Sequence, residues 1–213
     1  MLGLPLEEIL RVASTILQAL AVVVTAYFAS RSLSAWRRQL VGKRKLEVAE
    51  DMLLAAYKGR GALSHVRNPI AFGEGRARPR EQDERPNLAN LKDSYFTPLA
   101  RMQALEEDFA QWSKVRFLAD AYFGQEGAAP FDAIRKAYAT VTISARMLVM
   151  TAGDLTPQDP RKVQWEADIW DTGTSDDPIR LSIDAAVRQV ETACRPYLTE
   201  GRGWLDRVRR SAR

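Results

Sequence analysis

A stretch without charged residues, from Val12 to Ser30, limits more than any other feature what this chain can fold into. A bilayer core about 30 Å thick is crossed by roughly 20 mostly apolar residues in a helix. The run therefore predicts a transmembrane helix over residues 12–30. Two alternatives are a cleaved signal peptide, which would begin with basic residues and not with Glu7 and Glu8, and the buried helix of a soluble protein.

The charges on either side of the run predict its orientation. Lysine and arginine are enriched on the cytoplasmic side of membrane spans, which places the short segment 1–11 outside the cell and the segment 31–45 inside it. Basic and interfacial aromatic side chains contact anionic lipid headgroups. We expect such contacts from Arg31, Trp36, Arg37, Arg38, Lys43, Arg44 and Lys45.

Small residues recur within the run at a spacing of four. Ala21, Thr25 and Ala29 would lie on one face of the helix, and small residues in this pattern let two membrane helices approach closely. The pattern predicts a helix–helix contact and a homo-oligomer. The alternative is an ordinary lipid-facing surface, because such spacing is also common by chance.

Residues 46–200 read as a helical domain. Leu46, Ala49, Leu53, Ala56 and Leu63 have the spacing of an amphipathic helix. Residues 46–199 contain 19 Lys or Arg and 23 Asp or Glu, although the whole chain carries +4. The excess of positive charge therefore lies beside the span and in the basic tail, 201–213, which indicates an anionic membrane surface and not nucleic acid as the partner. The alternative for the tail is a disordered basic segment.

Turn and cap signals divide this domain into an antiparallel bundle of about four helices, near 39–66, 98–123, 130–152 and 178–199. Thr97-Pro98, Pro130 and Asp177-Pro178 are the predicted helix starts. Gly124 and Gly153 are predicted ends, and Pro196 is expected to kink or end the last helix. Bends or ends are expected at Gly42, Gly59 and Gly61, a loop at 68–97 that is exposed and mobile over 72–90, and a short helix at about 161–170.

Motifs for catalysis are absent from the sequence, which has no phosphate-binding glycine loop, paired cysteines or HExxH. A nucleophilic pair would need His65 and Cys194, yet Cys194 falls on an apolar helix face and reads as a buried structural thiol. Among the acidic residues, Glu166, Asp168 and Asp171 are the candidates for a hard cation. Their alternative role is the solvated face of a short helix. We predict no cofactor and no catalytic residue.

Several motifs together resemble a family of bacterial single-pass membrane proteins to which no activity is assigned. The resemblance implies a short outer N-terminus, one span in the inner membrane and a cytoplasmic helical domain. It carries over no catalytic or binding residue. The motifs are WRRQLVGKRKLEVAED at 36–51, NPIAFGEG at 68–75, WEADIWD at 165–171, DDPI at 176–179 and ETACRP at 191–196.

These observations predict an all-α, membrane-anchored protein that acts without catalysis, as an interaction or scaffold domain for an unidentified protein partner. The first alternative is a sensor or regulatory subunit, in which the long helix continuing from the span transmits a change to the bundle. The second is an enzyme with a carboxylate-based site, which would require a deep polar pocket.

Overall fold

The computed structural model describes the backbone of residues 6–211, and their side chains except at 6–9, 12–13, 34–35 and 199–211. Residues 6–211 form helices and no strand, which confirms the all-α part of the predicted fold class. It divides into two compact units, Met1–Lys45 and Leu46–Arg213. The helices are α1 (Leu6–Val66), α2 (Pro86–Gln103), α3 (Glu106–Met150), α4 (Pro160–Ile169) and α5 (Pro178–Ser211), with a 3₁₀ turn at Glu74–Ala77.

The last part of α1 supplies one wall of the apolar core of the second unit. Val48, Ala49, Met52, Ala56 and Leu63 are buried, and their spacing places them on one face of the helix. They belong to one apolar cluster with the buried faces of α3 and α5.

The three glycines of α1 do not end the helix, which continues through all of them. Gly59 instead lies against the core, where its carbonyl accepts a hydrogen bond from the Tyr138 hydroxyl at 3.1 Å. Of the bends or ends expected at Gly42, Gly59 and Gly61, no helix end is present.

The predicted helix 98–123 is wrong at its start and in its continuity. Pro98 lies inside α2, which begins at Pro86, and a turn at Ala104 and Leu105 separates α2 from α3. Pro98 removes one backbone donor from α2, but its side chain is fully buried, and that burial offsets part of the cost. A proline does occupy the first position of α2, but it is Pro86 and not Pro98.

Gly124 interrupts α3 as predicted, with φ 71° and ψ −169° in the middle of the helix. A side chain at this left-handed φ would be strained, which explains glycine at the kink. The predicted helix start at Pro130 was wrong, because the second helical part begins closer to Gly124 and contains Pro130.

The cap predicted for α5 at Asp177 is present, and α4 has a cap of the same kind at Asp159. The Asp159 carboxylate accepts a hydrogen bond from the Arg161 amide at 2.9 Å. Asp177 accepts hydrogen bonds from the amides of Ile179 and Arg180, at 2.9 and 3.1 Å. These bonds satisfy amides that the helix itself leaves unpaired. The helix α5 continues past Pro196, so that proline does not end it.

The segment predicted to be exposed and mobile over 72–90 is in part buried and held by ion pairs. Arg78 is buried and its guanidinium donates hydrogen bonds to Glu84 and to Asp93, the latter at 2.7 Å. Glu84 also lies 3.0 Å from the Lys92 ammonium group. Most of these residues are exposed as predicted, and the buried exceptions are Gly75, Arg78 and Ala89. Because a mixture of both charge signs supplies its own counter-ions, a charged side chain such as that of Arg78 can be buried.

Candidate functional sites

The apolar part of α1 presents its side chains on all sides to the surroundings. An 18-residue window there has a mean hydropathy of 1.5 and is 0% buried, and the helix is long and apolar enough to cross a membrane. Leu17 is 71% exposed, and Val22, Val23 and Phe28 are also exposed. The window therefore lacks the burial that a core helix of a soluble protein would show.

The residues predicted to touch a lipid surface follow this window on the same helix. Trp36 is exposed, and Arg31 donates a hydrogen bond to the Tyr27 hydroxyl at 3.3 Å. Of the remaining predicted contacts, only Lys45 is partly covered; Arg37, Arg38, Lys43 and Arg44 are exposed.

The small residues predicted to mediate helix association share one exposed face of α1. Ala21, Thr25 and Ala29 are exposed, and the Thr25 hydroxyl donates a hydrogen bond to the Ala21 carbonyl at 2.7 Å. The helix thus satisfies that hydroxyl itself, and the face presents no free hydroxyl at Thr25 to lipid or to a second helix.

The three carboxylates considered for a metal are held by separate donors. Asp168 is buried and accepts hydrogen bonds from the Ser144 hydroxyl at 2.6 Å and from the Gln164 amide at 2.9 Å. Glu166 accepts one from Tyr95 at 2.5 Å, and Asp171 accepts one from the backbone amide of Gly173. Among the described residues, no three metal-binding side chains gather at one point.

The bond to Glu166 also changes the chemistry of Tyr95. Burial, and then the hydrogen bond to the carboxylate, raise the pKa of the Tyr95 hydroxyl far above its ordinary value. Tyr95 therefore stays protonated and acts as a donor to Glu166. Glu166 thus links α4 to α2, Asp168 links α4 to α3, and Asp171 is held within its own turn.

Cys194 is fully buried, and burial raises the pKa of its thiol to about 11. His65 is exposed. A thiol without an accessible, electropositive setting stays protonated and unreactive near neutral pH. The prediction of a buried structural thiol is confirmed.

Two buried arginines close the end of α1, and the sequence analysis missed both. Arg101 donates to the carbonyls of His65, Asn68 and Ile70, at 3.1, 2.6 and 2.5 Å, and pairs with Glu74. The bond to His65 satisfies a carbonyl that the end of α1 leaves free, and the bonds to Asn68 and Ile70 hold the chain that follows the helix. The signal was weak, because an arginine in a polar segment normally indicates exposure.

Arg67 links the end of α1 to the end of α4 and to the start of α5. Its guanidinium donates to the carbonyls of Asp168, Ala167 and Trp170, at 2.8, 2.9 and 3.1 Å. It also pairs with Asp177 at 2.8 Å. A detectable signal was its place four residues after Leu63, on the buried stripe.

Above Arg67 lies a cavity of about 580 Å³, which we call the arginine cleft. It lies between the last turns of α1 and the first turns of α5. Arg60, Ser64 and Arg67 line it on the α1 side. The polar side chains that face them across the cleft are Asp171, Arg180 and Asp184.

Comparisons of the chain with protein-family models, with curated proteins and with solved structures found no match. The interpretation of both sites therefore depends on their residues and geometry.

Proposed function

We propose that this chain is a single-pass membrane protein, anchored by residues 12–30. The exposed apolar window of α1 supports this proposal most directly. Each large apolar side chain left in water forgoes about 1.5–3 kcal/mol of transfer free energy. Leu17, Val22 and Phe28 are among many such side chains in this window. Lipid is the surrounding that removes this cost for a whole helix circumference.

The basic segment 31–45 supports an orientation with the domain in the cytoplasm. Each Lys or Arg close to an anionic leaflet contributes about 1 kcal/mol. Arg37, Arg38 and Lys43 are exposed and can reach headgroups. We place the protein in a bacterial inner membrane, an assignment for which the motif resemblance is the support.

The domain formed by residues 46–200 acts, in this proposal, as a non-enzymatic interaction or scaffold domain built as an antiparallel bundle. The structural roles of Asp168 and Glu166 support this, because both carboxylates already have donors within the protein. The partner is another protein, and a second copy of the chain joins through the span.

Membrane fractionation tests the anchor. The double variant Leu20→Arg/Val23→Arg places two charges in the span, each costing roughly 2.5–3.5 kcal/mol at the centre of a membrane helix. The matched control Leu54→Arg changes an exposed leucine of the second unit. We expect the wild type and the control to stay in the alkali-washed membrane pellet and the double variant to leave it. A wild type found in the supernatant would refute the anchor.

Thiol labelling tests the orientation. Because Cys194 is fully buried, Trp36→Cys introduces an exposed thiol that a membrane-impermeant maleimide can report. We expect labelling only after the inner membrane is permeabilised. Labelling in cells with an intact inner membrane would place the domain on the opposite side.

Cysteine crosslinking tests the self-association. Single cysteines at Ala21, Thr25 and Ala29 should crosslink in membranes, whereas Val23→Cys and Tyr27→Cys, on the opposite face of the helix, should not. Equal crosslinking at all positions would remove the proposed helix–helix contact without affecting the anchor.

A further inference from the structure

The arginine cleft offers hydrogen-bond donors that the protein does not use. Arg60 lies 3.6 Å from Asp184, beyond hydrogen-bond distance, and its guanidinium donates no hydrogen bond to the described residues. The side chain of Arg180 forms neither an ion pair nor a hydrogen bond with them. Each guanidinium carries several N–H donors in a fixed fork.

The other side chains of the α1 wall add to this surface. Ser64 follows Arg60 by one helical turn, so both residues lie on the same face. Its hydroxyl has no hydrogen-bond partner in the described part of the chain. Arg67 is buried below them, and its bonds to three carbonyls and to Asp177 hold it in place.

We propose that the arginine cleft binds a small anion through a phosphate or carboxylate group, with Arg60, Arg180 and Ser64 as its donors. Guanidinium groups match both oxyanions in a bidentate manner. A cavity of about 580 Å³ is within the range of small-molecule sites, roughly 300–1,000 Å³. This site is separate from the proposed membrane anchor, and neither proposal depends on the other.

The two aspartates of the cleft predict how affinity responds to mutation. Asp184 is the carboxylate that competes with an anion for Arg60. Asp171 is engaged with the backbone amide of Gly173. Because a like charge opposes an incoming anion, removal of the Asp184 charge should tighten binding.

Gly61 provides a way to fill the cleft without disturbing the core. It lines the cleft, and a Cβ added there meets no other heavy atom within 4 Å. Leucine also has a better helix propensity than glycine, by roughly 0.8 kcal/mol. The matched control is Gly42→Leu, since Gly42 also lies in α1 and also has no atom within 4 Å of an added Cβ.

Isothermal titration calorimetry on the full-length protein in a neutral detergent tests the proposal. The probes are pyrophosphate and citrate, titrated at constant ionic strength. We expect at least one of them to bind the wild type and Gly42→Leu equally. Gly61→Leu should abolish this binding while its thermal unfolding midpoint stays at or above that of the wild type. Binding of pyrophosphate alone would assign the phosphate class, and binding of citrate alone the carboxylate class.

Two further variants should change the affinity for the anion in opposite directions. Arg180→Gln should weaken binding by about tenfold, the loss expected for a charge-assisted hydrogen bond. Asp184→Asn should tighten binding about threefold, as the partial release of a competing charge predicts. Gly61→Leu changes no charge, so a nonspecific charge effect would weaken binding in Arg180→Gln but would not abolish it in Gly61→Leu.

Three results would overturn the proposal. One is the absence of heat from both probes at millimolar concentration with the folded wild type. A second is wild-type affinity in folded Gly61→Leu, which would place the anion elsewhere. The third is unchanged affinity in Arg180→Gln.

Discussion

Two stretches of the chain have opposite compositions, and each contains side chains whose burial is the reverse of what its composition suggests. The apolar residues 14–30 expose large side chains such as Leu17 and Val22, whereas the charged stretch 74–93 buries Arg78 and most of Glu84. Hydropathy alone therefore does not predict whether a side chain is buried. Burial also depends on which partners the fold provides for that side chain. The charged stretch contains its own counter-ions, while the 18-residue apolar window is 0% buried among the described residues.

The first prediction tests whether the apolar stretch is independent of the domain's core. Met52 and Val22 are both apolar residues of α1, but Met52 is 0% exposed and packs in the core. Met52→Ala should lower the free energy of unfolding of the domain by about 4 kcal/mol, through lost transfer free energy and a cavity. Val22→Ala should leave it unchanged. Thermal unfolding of both variants in detergent measures the difference, and a clear loss in Val22→Ala would contradict the comparison.

The second prediction concerns the buried ion pairs, and the protein supplies a matched control. Arg78 and Arg80 both pair with Asp93, at 2.7 and 2.6 Å, but their side chains are 4% and 52% exposed. Arg78→Met removes one buried partner from Glu84, which keeps Lys92, and from Asp93, which keeps Arg80, and should cost about 3 kcal/mol. Arg80→Met should cost at most about 1 kcal/mol.

Chemical denaturation of the full chain measures both arginine variants. Equal losses would show that burial of the guanidinium does not set the cost. In that case the charged stretch would behave as the exposed loop that its composition suggests.

The third prediction concerns how closely the charged stretch approaches α2. A Cβ added at Gly75 would lie 1.7 Å from the Asp93 carbonyl oxygen, so the 3₁₀ turn must move away from the helix to accept it. Gly75→Ala should cost about 2 kcal/mol or more. Gly61→Ala, with open space around its added Cβ, should instead stabilise α1 by up to about 1 kcal/mol. Far-UV circular dichroism on heating distinguishes the two signs.

The sequence predicts most elements of this fold because their signals are local. The stripe of Ala49, Ala56 and Leu63, the kink at Gly124 and the cap at Asp177 each depend on a few neighbouring residues. Prediction from local sequence fails where two segments carry the same signal for a helix start. Pro86 and Pro98 both suit a first helical position, and contacts distant in sequence decide between them.

The candidate sites also divide into those formed by neighbouring residues and those formed by residues distant in sequence. The apolar window and the basic segment are continuous in sequence and could be predicted. The arginine cleft could not, because Arg60 and Arg180 are far apart in the chain and meet only through the packing of α1 and α5. Burial of Arg67 and Arg101 was missed because their partners are mostly backbone carbonyls, which no residue pattern records.

The last and smallest effect is a pH dependence from the charged stretch. The hydrogen bond from Arg78 lowers the pKa of the Glu84 carboxyl below its ordinary 4.5, against the opposing effect of burial. Because this pKa is lower in the folded than in the unfolded chain, the contribution of the pair is complete above pH 4.5. It is lost as the pH falls through the folded value. The thermal midpoint of the wild type should therefore decline more steeply below pH 4.5 than that of Glu84→Gln, which has no charge to lose. Val22→Ala should follow the wild-type curve at every pH, since it leaves the ion pairs intact. Parallel curves for wild type and Glu84→Gln would mean that the buried charges of this stretch stabilise the fold no more than exposed ones.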